Sequence, residues 1–390
     1  MASYSWPLQN NSIGLQEKFA LTKFLWTTDR FTNGPEVKRF EDAWSKWQGR
    51  EHSLFVSNGS CANFLLLDAV KELYFKDRRY LRIFAPAINW STNLSTFKQQ
   101  GHDIYLYDID DESYSPTPES IAVFHGIKPD IVYLTHVLGI SNNMKRIKEL
   151  WPDAIILEDC CESHGAKDPN TNKKVGNTGL GSTFSFYFGH HMTTIEGGMI
   201  CVDDEKLYNL MRAKRSHGLS REMLPLYRVD EELKNLEIDP SFLFPTAGYN
   251  FRNIEFGAVL GQVQLKKLNK WNKIRHENYK EFYLGMESLF DLCQLPARPE
   301  GNCAMVLPFH CNDKEIAKEL KFYLKNKGVE TRPFLVGDVR KQPFMKEAPY
   351  FSGELPNTER MDECSFYIGN NQFVSPANIQ ALLSDIRCEF

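Results

Sequence analysis

Three short segments carry residues whose types and spacing could do chemistry. In Ser57-Asn58-Gly59-Ser60, a glycine and two hydroxyls follow the apolar run Leu54-Phe55-Val56 and precede an apolar helical pattern from Ala62 to Tyr74. Between a strand and a helix, free backbone N–H groups and the helix dipole attract a phosphate. An ordinary turn with an N-cap would use the same letters, so the loop alone decides nothing. In Leu157-Glu158-Asp159-Cys160-Cys161-Glu162-Ser163, a buried strand ends in three carboxylates within five residues. Open α/β sheets bind ligands at strand ends, and a carboxylate there can hold a proton on a heteroaromatic ring nitrogen. A solvated acidic turn is the plain alternative. In the third segment, the aromatic run from Ser182 to Phe188 reads as a strand that breaks at Gly189. It delivers His190 and His191, then Glu196-Gly197-Gly198, before the next strand, Met199 to Val202. Adjacent histidines on a strand point to opposite faces, so no shared metal ion is expected.

These segments need elements to hold them. Short apolar runs bounded by turn residues recur at Leu54–Val56, Arg82–Ala85, Ile104–Tyr107, Ile131–Leu134 and Ile155–Leu157, with helical patterns between them. That alternation predicts a mostly parallel sheet with helices on both faces. Gly34-Pro35 opens an early helix whose buried face is Val37, Phe40, Trp44 and Trp47. After residue 255 the pattern predicts a helix around Phe256–Leu268, another from Trp271 to Leu289, and a smaller α+β unit. That unit holds a capped helix from about Asn312 to Lys327, stopped by Gly328. The expected division is a large domain over 1–255 and a small one over 256–390.

Bulk properties exclude other classes. The chain has 390 residues, enough for two domains, and its 42% apolar and 25% charged residues suit a globular protein. The net charge of -4 provides no basic field for nucleic acid or an acidic membrane. No stretch approaches the roughly 20 apolar residues that cross a bilayer, and the start lacks a secretory pattern. Nine cysteines without a Cys-x-x-Cys pair suit reduced thiols in the cytoplasm.

The three segments occur in the order and at the spacing of one family. From about Phe31 to Gln372 the chain resembles the DegT–DnrJ–StrS sugar-nucleotide aminotransferases, a branch of the fold-type I pyridoxal-phosphate enzymes. Further matches are Phe31-Thr32-x-Gly34-x-x-Val37, Pro86-Ala87-Ile88-Asn89-Trp90-Ser91 and Gly248-Tyr249-Asn250-Phe251-Arg252. The resemblance implies the aspartate-aminotransferase fold, with a mostly parallel seven-stranded sheet in the large domain. Most of the family carries a lysine at position 190, bonded to the cofactor; histidine cannot make that bond. A subgroup of sugar 3-dehydratases shares the histidine. It also shares Glu-Asp-x-Cys-Glu-Ser, His217-Gly218-x-x-Arg221, Arg332-Pro333 and Gly369-Asn370-x-Gln372.

Residue by residue, the resemblance implies roles. Gly59, Ser60 and Ser185 would bind the phosphate of pyridoxal or pyridoxamine phosphate, held without a covalent link. Asp159 would pair with the pyridine nitrogen, Trp90 would stack on the ring, and Glu162 belongs to the same cofactor set. Asn250 would reach the phosphate bound by a neighbouring subunit, which implies a homodimer with shared active sites. His190 would be the acid/base, with His217, Arg221 and Arg332 near the substrate. The implied reaction removes the C3 hydroxyl of a nucleotide-linked 4-keto-6-deoxy sugar of the GDP-mannose type. Glutamate would donate the amino group, and ammonia and a 3-deoxy-4-keto sugar would leave, a step of deoxysugar synthesis for lipopolysaccharide O-antigen.

An unperturbed imidazole both takes and gives a proton near neutral pH, which suits this chemistry. A related histidine subgroup needs an iron–sulfur cluster, with three of its four cysteines after the catalytic histidine region. No cysteine lies between Cys201 and Cys293, so that pattern is missing. Two alternatives stay open: an aminotransferase that works with histidine, and a silent sensor of pyridoxamine phosphate or a nucleotide sugar.

Overall fold

In the computed structural model, residues 4–227, 237–348 and 350–390 are described. Helices α1 (Leu15–Thr27) and α2 (Pro35–Gln48) precede β1 (His52–Val56). Gly34 caps α2 and Pro35 opens it; Val37, Phe40 and Trp44 are buried, and Trp47 is partly so. The free N–H groups of that first turn are satisfied from far away in the chain. The buried Glu255 carboxylate accepts from Gly34, Glu36 and Val37, each at 2.9 Å.

Next come α3 (Gly59–Tyr74), β2 (Arg82–Pro86), α4 (Ser91–Gln99), β3 (Asp103–Tyr107), the short α5 (Pro118–Ala122) and β4 (Ile131–Thr135). Then follow α6 (Met144–Leu150), β5 (Ile155–Asp159), β6 (Gly181–Ser185), β7 (Gly198–Val202) and α7 (Glu205–Arg215). The strands are β-branched and aromatic runs. Those at the centre are buried on both faces, as parallel strands between helix layers must be. The expected strands are all present, though β6 ends at Ser185 and the rest of the aromatic run is loop.

The large sheet has eight strands, in the order β1-β7-β6-β5-β4-β2-β3 and, at the edge, Tyr350–Ser352 (β11). Only β7 is antiparallel to its neighbours. The eighth strand corrects the expectation of seven. It returns from the C-terminal part and pairs in parallel with β3. Three residues carry too little periodicity to be read as a strand in sequence.

A second correction concerns the two helices expected after residue 255. Glu255–Met286 is one helix, α8. The polar pair Asn269-Lys270 lies on its solvent side and interrupts nothing. Its first turns pack against α2 and its later turns against the C-terminal helix. Beyond it, β8 (Cys293–Gln294), β9 (Val306–Cys311), α9 (Lys314–Asn326), β10 (Thr331–Pro333), α10 (Pro356–Cys364), β12 (Ser365–Gly369) and α11 (Pro376–Glu389) form the smaller unit. Its sheet has the order β10-β12-β9-β8. Asp313 caps α9, accepting from Glu315 and Ile316 at 2.9 Å. One hydrophobic cluster joins Phe84 and Tyr105 of the large sheet and Trp151 at the end of α6 to Phe282 of α8 and to Phe309 and Leu382 of the smaller unit. Among the described residues no helix is long and apolar enough to cross a membrane.

Candidate active site

The C-terminal ends of β4, β5 and β6 lie side by side, with Thr135, Asp159 and Thr183 in register. Helices α3 and α4 start just above them, and each sends an asparagine down. Asn93 Nδ2 donates to Asp159 Oδ2 at 2.6 Å and Asn63 Nδ2 donates to the same oxygen at 3.3 Å. Cys161 N–H donates to Asp159 Oδ1 at 2.8 Å. Thr183 Oγ1 in turn donates to Asn63 Oδ1. Asn89 Oδ1 accepts from both Asn93 and Thr135 at 2.9 Å. Asp159 is thus a nearly buried carboxylate whose direction is set by its neighbours. Sequence reading missed Asn63, Asn89 and Asn93. An asparagine in a helical pattern carries no signal until its strand-end partner is known.

Glu158 points the other way and is structural. Burial opposes its charge, but His136 at 3.0 Å and the N–H groups of Gly179 and Gly176 outweigh burial, lowering its pKa to about 2. With His136 and Cys160 it forms one compact group of metal-capable atoms, but its carboxylate oxygens are already occupied by these donors. Glu162 behaves in the opposite sense. Burial pushes its pKa up to about 8, helped by the nearby Asp159 charge and opposed by the N–H of Leu138 at 2.8 Å.

The phosphate-loop candidates also converge. Asn58 caps α3 and accepts from Cys61 N–H at 2.8 Å. A Cβ at Gly59 would sit 2.8 Å from Ser185 Cβ and 3.1 Å from Cys161 Sγ, so the loops after β1, β5 and β6 meet at this glycine. Gly198 lets β7 pass against the Asn58 carbonyl on the other side. Ser60 Oγ donates to Thr92 Oγ1 at 2.9 Å, which ties the starts of α3 and α4 together. Trp90 precedes α4, its ring half exposed and its N–H held by Asn89 Oδ1 at 2.8 Å.

His190 lies in the loop after β6, its N–H on the Tyr187 carbonyl at 3.0 Å. The ring is partly open, but its Nδ1 is enclosed and has no hydrogen-bond partner. Burial, reinforced by the Arg275 cation, lowers its pKa to about 4, so the imidazole is neutral at pH 7. His191 turns away and meets the Cys303 carbonyl through Nε2 at 2.7 Å. The two histidines lie on a loop, and they still part.

The remaining candidates stand apart from this cradle. Asn250 pairs with Ser216 in an isolated bridge, and Arg252 links Asn250 (3.2 Å) to His217 Nε2 (3.1 Å) on the surface. The adjacent Phe251 carbonyl accepts from Ser57 N–H at 2.9 Å, so the group flanks the phosphate loop without entering it. Arg221 reaches the Ser241 carbonyl at 3.3 Å. Arg332 is exposed on β10, opposite Tyr367, whose phenol feels both Glu162 and Arg332.

A family model described as the DegT/DnrJ/EryC1/StrS aminotransferase family matches residues 13–387. The chain belongs to this family. It is 31% identical to GDP-4-keto-6-deoxy-D-mannose 3-dehydratase of Escherichia coli O55:H7, over 88% of this chain and 89% of that protein. It is 29% identical to the enzyme of the same name from Yersinia pseudotuberculosis, over 98% of each. A crystal structure of GDP-4-keto-6-deoxymannose-3-dehydratase with a trapped PLP–glutamate geminal diamine superposes with a TM-score of 0.88. It shares 27% identity, over 97% of this chain and 99% of that one. The family's cofactor is pyridoxal phosphate. The cradle fits it: a glycine where a side chain would fill the space, hydroxyls at a helix start, and a buried carboxylate aimed from a strand end.

Proposed function

We propose that the protein is a pyridoxal-phosphate-dependent 3-dehydratase of a GDP-linked 4-keto-6-deoxy sugar, with glutamate as amino donor. The observation that carries this reading is a neutral, partly open His190, with an unpartnered Nδ1, where most of the family has lysine. Pyridoxamine phosphate held there would supply an amino group for the keto sugar and an electron sink for the bond changes. Gly59, Ser60 and Ser185 hold the phosphate, Asp159 faces the ring nitrogen, and Trp90 and Glu162 border the ring. Without lysine the cofactor is held non-covalently. His190 would take a proton from the cofactor's methylene carbon and deliver it to the departing oxygen on carbon 3, carrying it between the two events. Because it is neutral at pH 7, it is an acceptor first, and it donates only the proton it has just taken.

The same reading makes the protein a homodimer in the cytoplasm. Leu15, Phe19 and Trp26 form an uncovered apolar stripe on α1, and Phe242 and Ile254 are also exposed; large uncovered apolar surface marks contact sites. Asn250, His217 and Arg221 would then serve the partner's site, and Arg332 the substrate at the cleft edge. The nine cysteines are free thiols, which suits a reducing compartment. Residues 1–255 would carry the cofactor and 256–390 the small domain, with β11 lent back to the large sheet.

The deciding experiment supplies pyridoxal phosphate, glutamate and GDP-4-keto-6-deoxymannose to the purified protein. Ammonia and a 3-deoxy sugar in equal amounts are expected. An amino sugar as product would make it a transaminase, and no turnover would leave a binding protein.

A further inference from the structure

Helix α8 faces the loops of the site with several polar side chains. Gln264 Oε1 accepts from the Thr193 N–H at 3.3 Å, and Asn272 donates to the His164 carbonyl at 2.7 Å. His276 Nδ1 meets the Asn302 carbonyl at 3.1 Å. Between these last two sits Arg275, wholly buried. Its Nη1 donates to the carbonyls of Asn370 and, at 3.4 Å, of Met305; its Nη2 reaches Gln372 Oε1 at 3.5 Å. Its Nε has no partner, and among the described residues no carboxylate pairs with it. Burial lowers its pKa to about 10, which leaves it a cation at neutral pH. A buried charge without a counter-ion is costly, so its retention calls for a reason.

The groups around it supply one. His164, His190 and His191 form a cluster, with ring centroids 6.1 Å apart for His164–His190 and 5.2 Å for His164–His191. The Nδ1 atoms of His190 and His191 are enclosed and lack hydrogen-bond partners, so neither has a neighbouring acceptor for a proton placed there. Tyr187 is the other ring facing His190, at 6.3 Å. The segment Cys303–Met305 receives His191 at one end and Arg275 at the other.

We propose that Arg275 is a positioning residue for His190: its uncompensated charge disfavours a resting positive charge in the histidine cluster, so that His190 meets the reaction as a neutral base and readily gives up the proton it takes. The catalytic sense of this rests on His190 being the proton carrier. The physical coupling does not. Burial acts on His190 in the same direction and is the larger cause, with the cation second. Like charges in a poorly solvated site repel strongly, which is why a charge at position 275 is felt across the cluster.

The test is a histidine-selective NMR titration of the cofactor-free protein, with His190→Asn used to assign the signal. A midpoint well below the free-imidazole value, at about 4, is expected for His190 in the unaltered protein. Arg275→Gln keeps donors for the carbonyls and removes the charge. Its His190 midpoint moves upward, and the acid limb of kcat/KM moves with it. Arg275→Lys restores the charge, the low midpoint and the original limb. An unmoved midpoint in a folded Arg275→Gln protein overturns the proposal. Should that variant not fold, Arg275→Met takes its place, and an unmoved His190 midpoint in it overturns the proposal equally. Full dehydratase activity in His190→Asn would defeat His190 as proton carrier while leaving the titration result intact.

Discussion

The cradle at the ends of β5 and β6 and the polar group around Asn250 differ in how far one chain completes them. In the cradle, Asp159 is nearly buried and takes hydrogen bonds from Asn93, Asn63 and Cys161. Around Asn250, surface side chains bond to one another and, among the described residues, to nothing deeper. The first region is preorganised: its cost is met by folding, before any ligand arrives. The second is ordered locally and open, as a surface is when its partner comes from outside. A residue's role in a site therefore does not require that it lie in the site of its own chain.

Three experiments can break or sharpen this contrast. The largest effect belongs to the preorganised region. Asp159→Asn turns one oxygen into a donor that confronts the amides of Asn63 and Asn93, and it weakens the partner of the ring nitrogen. Activity should fall on the order of 10²–10³-fold or more, with circular dichroism unchanged. Turnover within a few-fold of the unaltered protein would remove Asp159 from the ring nitrogen.

The open region gives an intermediate effect. Asn250→Ala and His190→Asn should each be nearly inactive alone. After subunit exchange in a one-to-one mixture, half the dimers are mixed and each has one intact site. Recovery of roughly a quarter of the original activity is expected for a closed two-fold dimer. No recovery despite exchange proven by mass spectrometry would place Asn250 in its own chain's site or in none.

The smallest effect is on stability against pH. The folded pKa of Glu162 is raised to about 8, so its contribution is complete below the unfolded value and is lost as pH rises through 8. The folded pKa of His190 is lowered to about 4, so its contribution is present above about 6.5 and is lost as pH falls toward 4. Urea melts of the cofactor-free protein should show Glu162→Gln flattening the alkaline side and His190→Asn flattening the acid side. Identical profiles for all three proteins would mean that neither group is perturbed as its surroundings imply.

Much of this protein is written locally. The strands are legible because buried parallel strands need short β-branched runs. The phosphate loop is legible because Gly59 stands between a strand and a helix, and Asp159 because a carboxylate at the end of an apolar run is unusual. Position 190 is readable because histidine there departs from a pattern that the flanking residues keep. What the letters do not contain is decided across distance. Glu255 caps a helix whose N-cap, Gly34, lies 221 residues earlier in the chain. Asn63 and Asn93 meet Asp159 only after α3 and α4 are laid over the sheet. The three residues of β11 become a strand because the edge of β3 is there to pair with them. Glu162 and His190 have ordinary side chains whose proton affinities move in opposite directions only once burial removes water from both and sets Asp159 near one and Arg275 near the other. Identity and spacing are properties of the chain; dielectric and neighbouring charge are properties of the fold, and the working state of the site depends on the second pair.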